Sequence, residues 1–338
     1  MIYVTWIAVS VIWSDDPGVT LRRQAAFGLM LAFCAGCAAR MTKDNLSRFI
    51  AGLTSLNLAA AIVQEFIRGT LHPFAAGNRF SGTISPNTQG AGLAVAVVIS
   101  FWFAWGSGGS SRRYSISAGI VLLFFLFLTG SRTSLVGLIA AMIASVSIIG
   151  IRRYRGGPYR IGAVLMLGLA LITGAALLYA SDTRPMDVTG MTNVLRTERD
   201  GDEVTDLTGR TQIWDVTGGY AAARPVLGYG YGGFWTGGRL DAVADELKWP
   251  AYHSHSAYLD MILQVGGLGA IVYIVLLVTS IVVCIVKFLR FEDSAGVFAA
   301  ILVFMTINGL TESIVILPTF PALILNLVLM KLALASPA

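Results

Sequence analysis

The sequence predicts an all-α membrane protein of about ten transmembrane helices with one long extracytoplasmic loop. Three observations predict it. Of 338 residues, 55% are hydrophobic and only 13% charged. Several apolar runs approach the ~20 residues that a helix needs to cross a ~30 Å hydrocarbon core. Basic residues gather in alternate links between those runs. A chain with roughly half the charge of an ordinary soluble domain cannot cover itself with polar surface, so its main solvent is lipid.

Helices are the expected spans because every backbone N–H and C=O inside hydrocarbon must be bonded within its own segment. In order they are expected at 2–13, 24–40, 49–67, 90–105, 115–130, 134–150, 161–181, 267–286, 294–313 and 319–336. The first run, Ile2–Trp13, has no basic leader and no small-residue cleavage site, and does not read as a signal peptide. One set of links carries Arg40, Lys43 and Arg48, then Arg112 and Arg113, then Arg152, Arg153, Arg155 and Arg160, then Lys287 and Arg290, with Lys331 near the C-terminus. The opposite set carries only Arg22, Arg23, Arg68, Arg79 and Arg132. The positive-inside rule places the richer set, and with it both termini, in the cytoplasm.

The same alternation places the connection 182–254 outside, and divides the chain into an N-terminal bundle of about seven spans (1–181), that loop, and a C-terminal bundle of about three spans (255–338). A loop of that length without structure of its own is uncommon, so a functional element or a small ordered cap is expected. Its first half, around Arg196–Asp206, is polar enough to be mobile, whereas its second half is rich in Trp, Tyr and Gly. The net charge of +5 resides mostly in short links and reports topology, with no nucleic-acid partner implied. Cys34, Cys37 and Cys284 all fall in apolar runs and provide no disulfide framework for the loop.

The segment Tyr252-His253-Ser254-His255-Ser256-Ala257-Tyr258-Leu259-Asp260 lies where the loop re-enters the membrane. Two histidines two residues apart at such a mouth either anchor the loop or move a proton near neutral pH. Arginines beside small polar residues recur at Asn78-Arg79-Phe80-Ser81-Gly82, Gly130-Ser131-Arg132-Thr133-Ser134 and Thr208-Gly209-Arg210-Thr211. A guanidinium beside lipid is costly unless it snorkels, pairs with an acid or faces an anion, and its planar fork suits phosphate oxygens. Together with a histidine these arginines point to a phosphate-bearing ligand. Asn87 and Glu312, at outer span ends, either line the same cavity or cap helices. Gly228-Tyr229-Gly230-Tyr231-Gly232-Gly233 formally matches G-x-G-x-x-G, but it lies in an extracytoplasmic loop without a βαβ unit. Its aromatics, with Phe234, Trp235 and Trp249, are expected to pack at the interface or stack on a ligand. No H-E-x-x-H, Walker motif or dense acidic cluster occurs, so no metal, cofactor or NTP is implied.

Taken in order, these segments resemble the O-antigen ligase and polysaccharide polymerase superfamily, and within it the exopolysaccharide polymerases. The matching pieces are Trp13-Ser14-Asp15-Asp16-Pro17 with Thr20-Leu21-Arg22-Arg23; Gly77–Gly82 with Pro86-Asn87; Thr129–Thr133; Leu207–Trp214; Ala223–Gly232; and His253-Ser254-His255 through Tyr258-Leu259 to Gly269. The resemblance implies a GT-C-like, metal-independent, inverting glycosyltransferase of the bacterial inner membrane. Its donor would be an undecaprenyl-diphosphate-linked glycan, its acceptor a second glycan, and other polysaccharide export components its possible partners. The family's catalytic histidine maps onto His255, because the His-x-x-Tyr-Leu pattern starts there, with His253 and Tyr258 accompanying it. Its diphosphate-binding arginines map onto Arg132 and Arg210, with Arg79 as a third. Ser256 stands where the family commonly has Asn, and the chain carries roughly two fewer N-terminal spans than the family, as expected of a shortened reading frame. A ligase acting on a different acceptor shares this logic. A flippase for lipid-linked glycans instead needs charged groups along the whole crossing, whereas here the mid-span regions are nearly free of charge.

Overall fold

The computed structural model describes residues 2–73, 75, 78–153, 208–313 and 317–334. Every regular element among these residues is a helix: α1 (Ile2–Val9) with a 3₁₀ turn (Ser10–Trp13), α2 (Pro17–Arg40), α3 (Lys43–Arg68), α4 (Pro86–Gly106), α5 (Gly109–Leu128), α6 (Arg132–Arg153), α7 (Thr208–Ala223), α8 (Gly237–Leu247), α9 (Ala257–Leu289), α10 (Asp293–Asn308) and α11 (Phe320–Leu334). Among the described residues five helices, α3, α4, α5, α6 and α9, are long and apolar enough to cross a membrane. Three shorter apolar stretches, Ile2–Trp13, α10 and α11, accompany them. The expected span at 161–181 and the expected mobile stretch at Arg196–Asp206 lie outside the described residues.

Two boundaries differ usefully from the expectation. Helix α2 begins at Pro17, not near residue 24, because Pro is well placed in a first turn and the Asp16 carboxylate accepts the Val19 N–H (2.9 Å). Helix α9 begins at Ala257, ten residues before the expected span, and breaks at Gly266, whose φ of 71° no interior helical residue adopts.

The chain groups into two compact units, one from the described parts of Met1–Ala39, Thr205–Ser280 and Gly309–Ala338, the other from those of Arg40–Val204 and Ile281–Asn308. In the second unit α4 is the central helix, packed by α3, α5, α6 and α10. Its buried face from Gln89 to Ser100 is built largely of Gly, Ala and Val, small side chains that let helices approach. Trp102 stacks edge-on against Phe288 (5.3 Å between centroids) and donates to Ser145 Oγ (3.2 Å). The ion pairs Arg152–Asp293 and Lys43–Glu292 use two of the basic residues expected on the cytoplasmic side. Helix α5 leaves Ile120, Val121, Phe124 and Phe127 exposed, an apolar face suited to lipid.

In the first unit the second half of the long connection forms an ordered cap. Ile213, Tyr229, Phe234, Trp235, Val243, Leu247, Ala251 and Leu263 make a buried cluster, with Trp214, Tyr220 and Trp249 packed against it. The aromatics expected at an interface or on a ligand are therefore largely interior. Phe234 is the hub, with Tyr220, Tyr229 and Trp235 rings 4.9–5.4 Å away in edge-on contacts.

A methyl group on Gly266 would lie 1.9 Å from the Val226 carbonyl oxygen, in addition to requiring a left-handed backbone. Gly266→Ala is therefore expected to destabilise the protein by more than the roughly 1–3 kcal/mol of backbone strain alone. A clear fall in apparent Tm of the detergent-solubilised protein checks this, and an unchanged Tm would show that the kink relaxes freely.

Candidate functional site

The histidine loop of the first unit is held by a dense set of hydrogen bonds. Asp260, fully buried in the first turn of α9, accepts from the Trp235 indole N–H (2.8 Å) and from the Ser254 backbone N–H (3.2 Å). The Trp214 indole donates to the Ser254 carbonyl (2.8 Å), and Ser254 Oγ donates to the Ser256 carbonyl (3.0 Å). Ser256 Oγ accepts the Leu259 N–H (3.4 Å) and so caps α9. Ser and Asn are both good caps, which accounts for Ser at the position where the resembled family commonly has Asn. The Ala257 N–H reaches the Gly309 carbonyl (2.9 Å), tying the start of α9 to the segment that carries Glu312.

These contacts hold His255 at φ 55°, a left-handed conformation that costs a side-chain-bearing residue energy. Its backbone N–H donates to His253 Nδ1 (3.3 Å), which leaves Nε2 as the protonated nitrogen of a neutral His253 ring. The two rings stand 4.1 Å apart at 64°. His255 Nδ1 is buried and has no hydrogen-bond partner among the described residues. Burial first, then the neighbouring His253 and the Arg210 charge, push its pKa down to about 3. Burial also lowers that of His253, opposed by Asp260 and assisted by Arg210. Arg210, in the first turn of α7, pairs with Glu312 (2.8 Å), whose side chain is only 3% exposed. Tyr258, the second residue of α9, is half-buried, its ring 6.4 Å from that of Tyr273.

The lowered His255 value has a direct consequence for stability. Between pH 6.5 and about 3 the unfolded chain takes up a proton that the folded His255 refuses, so stability is full above pH 6.5 and falls with acidification through that window. Thermal unfolding in detergent across pH 4–7 is expected to follow this sign, and His255→Gln to flatten part of the slope. An identical slope in the variant would assign the acid sensitivity to other groups.

The second unit holds the other sequence-predicted residues. Arg79 donates through Nε to the Thr129 carbonyl (2.9 Å) and through Nη2 to Asn87 Oδ1 (2.7 Å). Asn87 thus holds an arginine, and Ser85 is the residue that caps α4. Gly130, at φ 60°, lets the turn before α6 lie against Arg79, where a Cβ would sit 3.3 Å from Nε. Arg132 follows that turn as the first residue of α6 and is exposed, while Ser131, Thr133 and Ser134 around it are buried. The structure therefore gathers His253, His255, Arg210 and Glu312 within one unit, and Arg79, Asn87 and the turn leading to Arg132 within the other.

Two buried acids escaped the sequence reading. Asp260 follows the histidines within the same segment, and an acid at the mouth of an apolar span is itself a signal. Glu65, buried near the end of α3, accepts the Ser81 and Gly82 N–H groups (2.7 and 3.0 Å) and so clamps the loop that carries Arg79. Its signal was a single acid within an apolar run. Among the described residues no three His, Cys, Asp or Glu side chains gather as metal ligands.

A chain whose described elements are all helices, with an ordered cap and a half-buried histidine–arginine site, agrees with the comparison to known families: residues 117–274 match the O-antigen ligase family. The match spans less than half of the chain, whose apolar helices fit a membrane protein similar to O-antigen ligases and polysaccharide polymerases. The chain is 24% identical over 294 residues to the exopolysaccharide production protein ExoQ of Rhizobium meliloti (strain 1021). That match covers 82% of this chain and 63% of the relative's length.

Proposed function

We propose that the chain acts in polysaccharide assembly as a metal-independent glycosyltransferase, joining undecaprenyl-diphosphate-linked oligosaccharides at the outer face of the bacterial inner membrane. In this reading both termini are cytoplasmic and the 182–254 connection is periplasmic. The observation that carries the reading is the His255 imidazole, neutral at physiological pH, with a buried Nδ1 that has no partner among the described residues and with Arg210 close enough to depress its pKa.

His255 takes the proton of an acceptor hydroxyl as its oxygen bonds to the anomeric carbon of the donor. The bond from that carbon to the diphosphate oxygen breaks, and the electron pair leaves with the diphosphate. A single displacement from the opposite face inverts the anomeric configuration. Arginine forks match diphosphate oxygens, and Arg210, Arg132 and Arg79 are assigned to that task by their motifs. Glu312 and Asn87 hold two of these arginines in orientation. Diphosphate is a good leaving group, so positioning and charge stabilisation suffice for the step. The incoming diphosphate also opposes the depression of the His255 pKa, which favours imidazolium formation as the proton arrives.

Membranes containing the protein, supplied with a labelled lipid-linked oligosaccharide and a chelator, are expected to release undecaprenyl diphosphate and build longer lipid-linked glycans with inverted linkages. Chain growth that stops with the chelator, or linkages that retain configuration, would overturn the mechanism. Transfer only to a different acceptor, without lengthening, would assign the chain to ligation.

A further inference from the structure

The first unit holds a second cationic place, built on Trp13, Asp15, Arg224 and Arg239. It is organised by the break in α9 at Gly266. The groups released there are taken up by other segments: the Tyr229 N–H donates to the Leu263 carbonyl (2.8 Å), the Gly267 N–H to the Pro225 carbonyl (2.7 Å), and the Trp6 indole to the Val265 carbonyl (2.9 Å). Trp13 in turn donates to the Leu227 carbonyl (2.8 Å). The turn Arg224–Gly228 is thereby fastened to the helix where the helix breaks.

That break marks a depth. From Gly267 to Leu289 the helix continues for about 34 Å at 1.5 Å per residue, close to the thickness of the hydrocarbon core. The turn consequently lies at the membrane boundary, at the end of α9 away from Lys287. Trp13, Arg224, Pro225, Val226, Leu227 and Gly228 line a cavity of about 340 Å³ there. Val226 and Leu227 are 53% and 40% exposed, apolar side chains in the zone where lipid headgroups meet acyl chains.

The charge of the place is also set by geometry. Arg224 and Arg239 both pair with Asp15 and both lie over the Tyr229 ring, at 4.6 and 4.3 Å. The next acid, Asp16, is engaged at the start of α2 and faces Arg23. One carboxylate shared between two guanidiniums leaves a net positive charge, and the Arg224 side chain remains 45% exposed.

We propose that this groove seats an anionic glycerophospholipid of the surrounding bilayer: its headgroup phosphate meets the Arg224 guanidinium, and the start of its acyl chains lies on Trp13, Val226 and Leu227. The surplus positive charge of the cluster suits the negative charge of a headgroup phosphodiester.

Native mass spectrometry of the purified full chain, equilibrated with phosphatidylglycerol, phosphatidylcholine or undecaprenyl diphosphate, tests this. Phosphatidylglycerol is expected to be retained about 10-fold more tightly than phosphatidylcholine. That preference should vanish in Arg224→Gln and in Val226→Glu, the second of which alters only an exposed side chain and keeps the fold. Equal retention of the two phospholipids, or a preference unchanged in both variants, would overturn the proposal. So would tighter retention of undecaprenyl diphosphate than of phosphatidylglycerol, which would make the groove a substrate site.

Discussion

His255→Ala is expected to lower glycan transfer by about 10²–10⁴-fold, the usual contribution of a positioned general base. The fall should appear in kcat far more than in KM, because the imidazole acts on a proton that moves only in the transition state. His253→Ala should cost less, since His253 Nδ1 receives the His255 backbone N–H and so shapes the loop. The depressed pKa of His255 adds a signature: a base that is neutral down to about pH 3 in the free protein places the acid limb of kcat/KM below pH 6.5. Initial rates of polymer synthesis in membranes, normalised to the amount of inserted protein, check all three. Retained activity in the alanine variant would remove His255 as the base.

Arg210→Ala is expected to cost stability as well as activity, because it leaves the Glu312 carboxylate, 3% exposed, without that guanidinium. Breaking one partner of such a buried pair costs about 3–5 kcal/mol, whereas replacing both is often neutral. The double variant Arg210→Met with Glu312→Gln should therefore recover most of the lost Tm. It should not recover transfer, since the charge assigned to the diphosphate is still missing. Thermal unfolding and turnover measured on the same preparations separate the two roles. A double variant that regains turnover along with Tm would reduce Arg210 to a structural residue.

Much of the fold was legible from hydropathy alone, because apolar length and helical rise leave few options in lipid. The runs at 49–67, 90–105, 115–130 and 134–150 each became one helix, longer at its start in every case, with that of 115–130 ending at Leu128. The start of α9 was less legible: Ala257–Gly266 carries Asp260 and Gln264, which lower its hydropathy although both are buried by the cap. Of the site, the residue types and their order were visible. Their partners were not: Arg210 meets Glu312 across 102 residues, and Arg79 meets the Thr129 carbonyl across 50. Such pairings follow from how helices pack, a non-local property that no local periodicity encodes.

By itself, then, the sequence determined that this is a helical membrane protein with a histidine–arginine motif set, because the cost of exposing peptide groups and charges to hydrocarbon acts on every residue separately. Only the tertiary structure decided that the Trp- and Tyr-rich loop folds into a cap with its own core, and that a broken helix is mended by the Arg224–Gly228 turn. It alone also decided that His255 is held in a left-handed turn with its Nδ1 shielded from solvent. Those outcomes depend on which distant segments supply the missing hydrogen bonds and exclude the water.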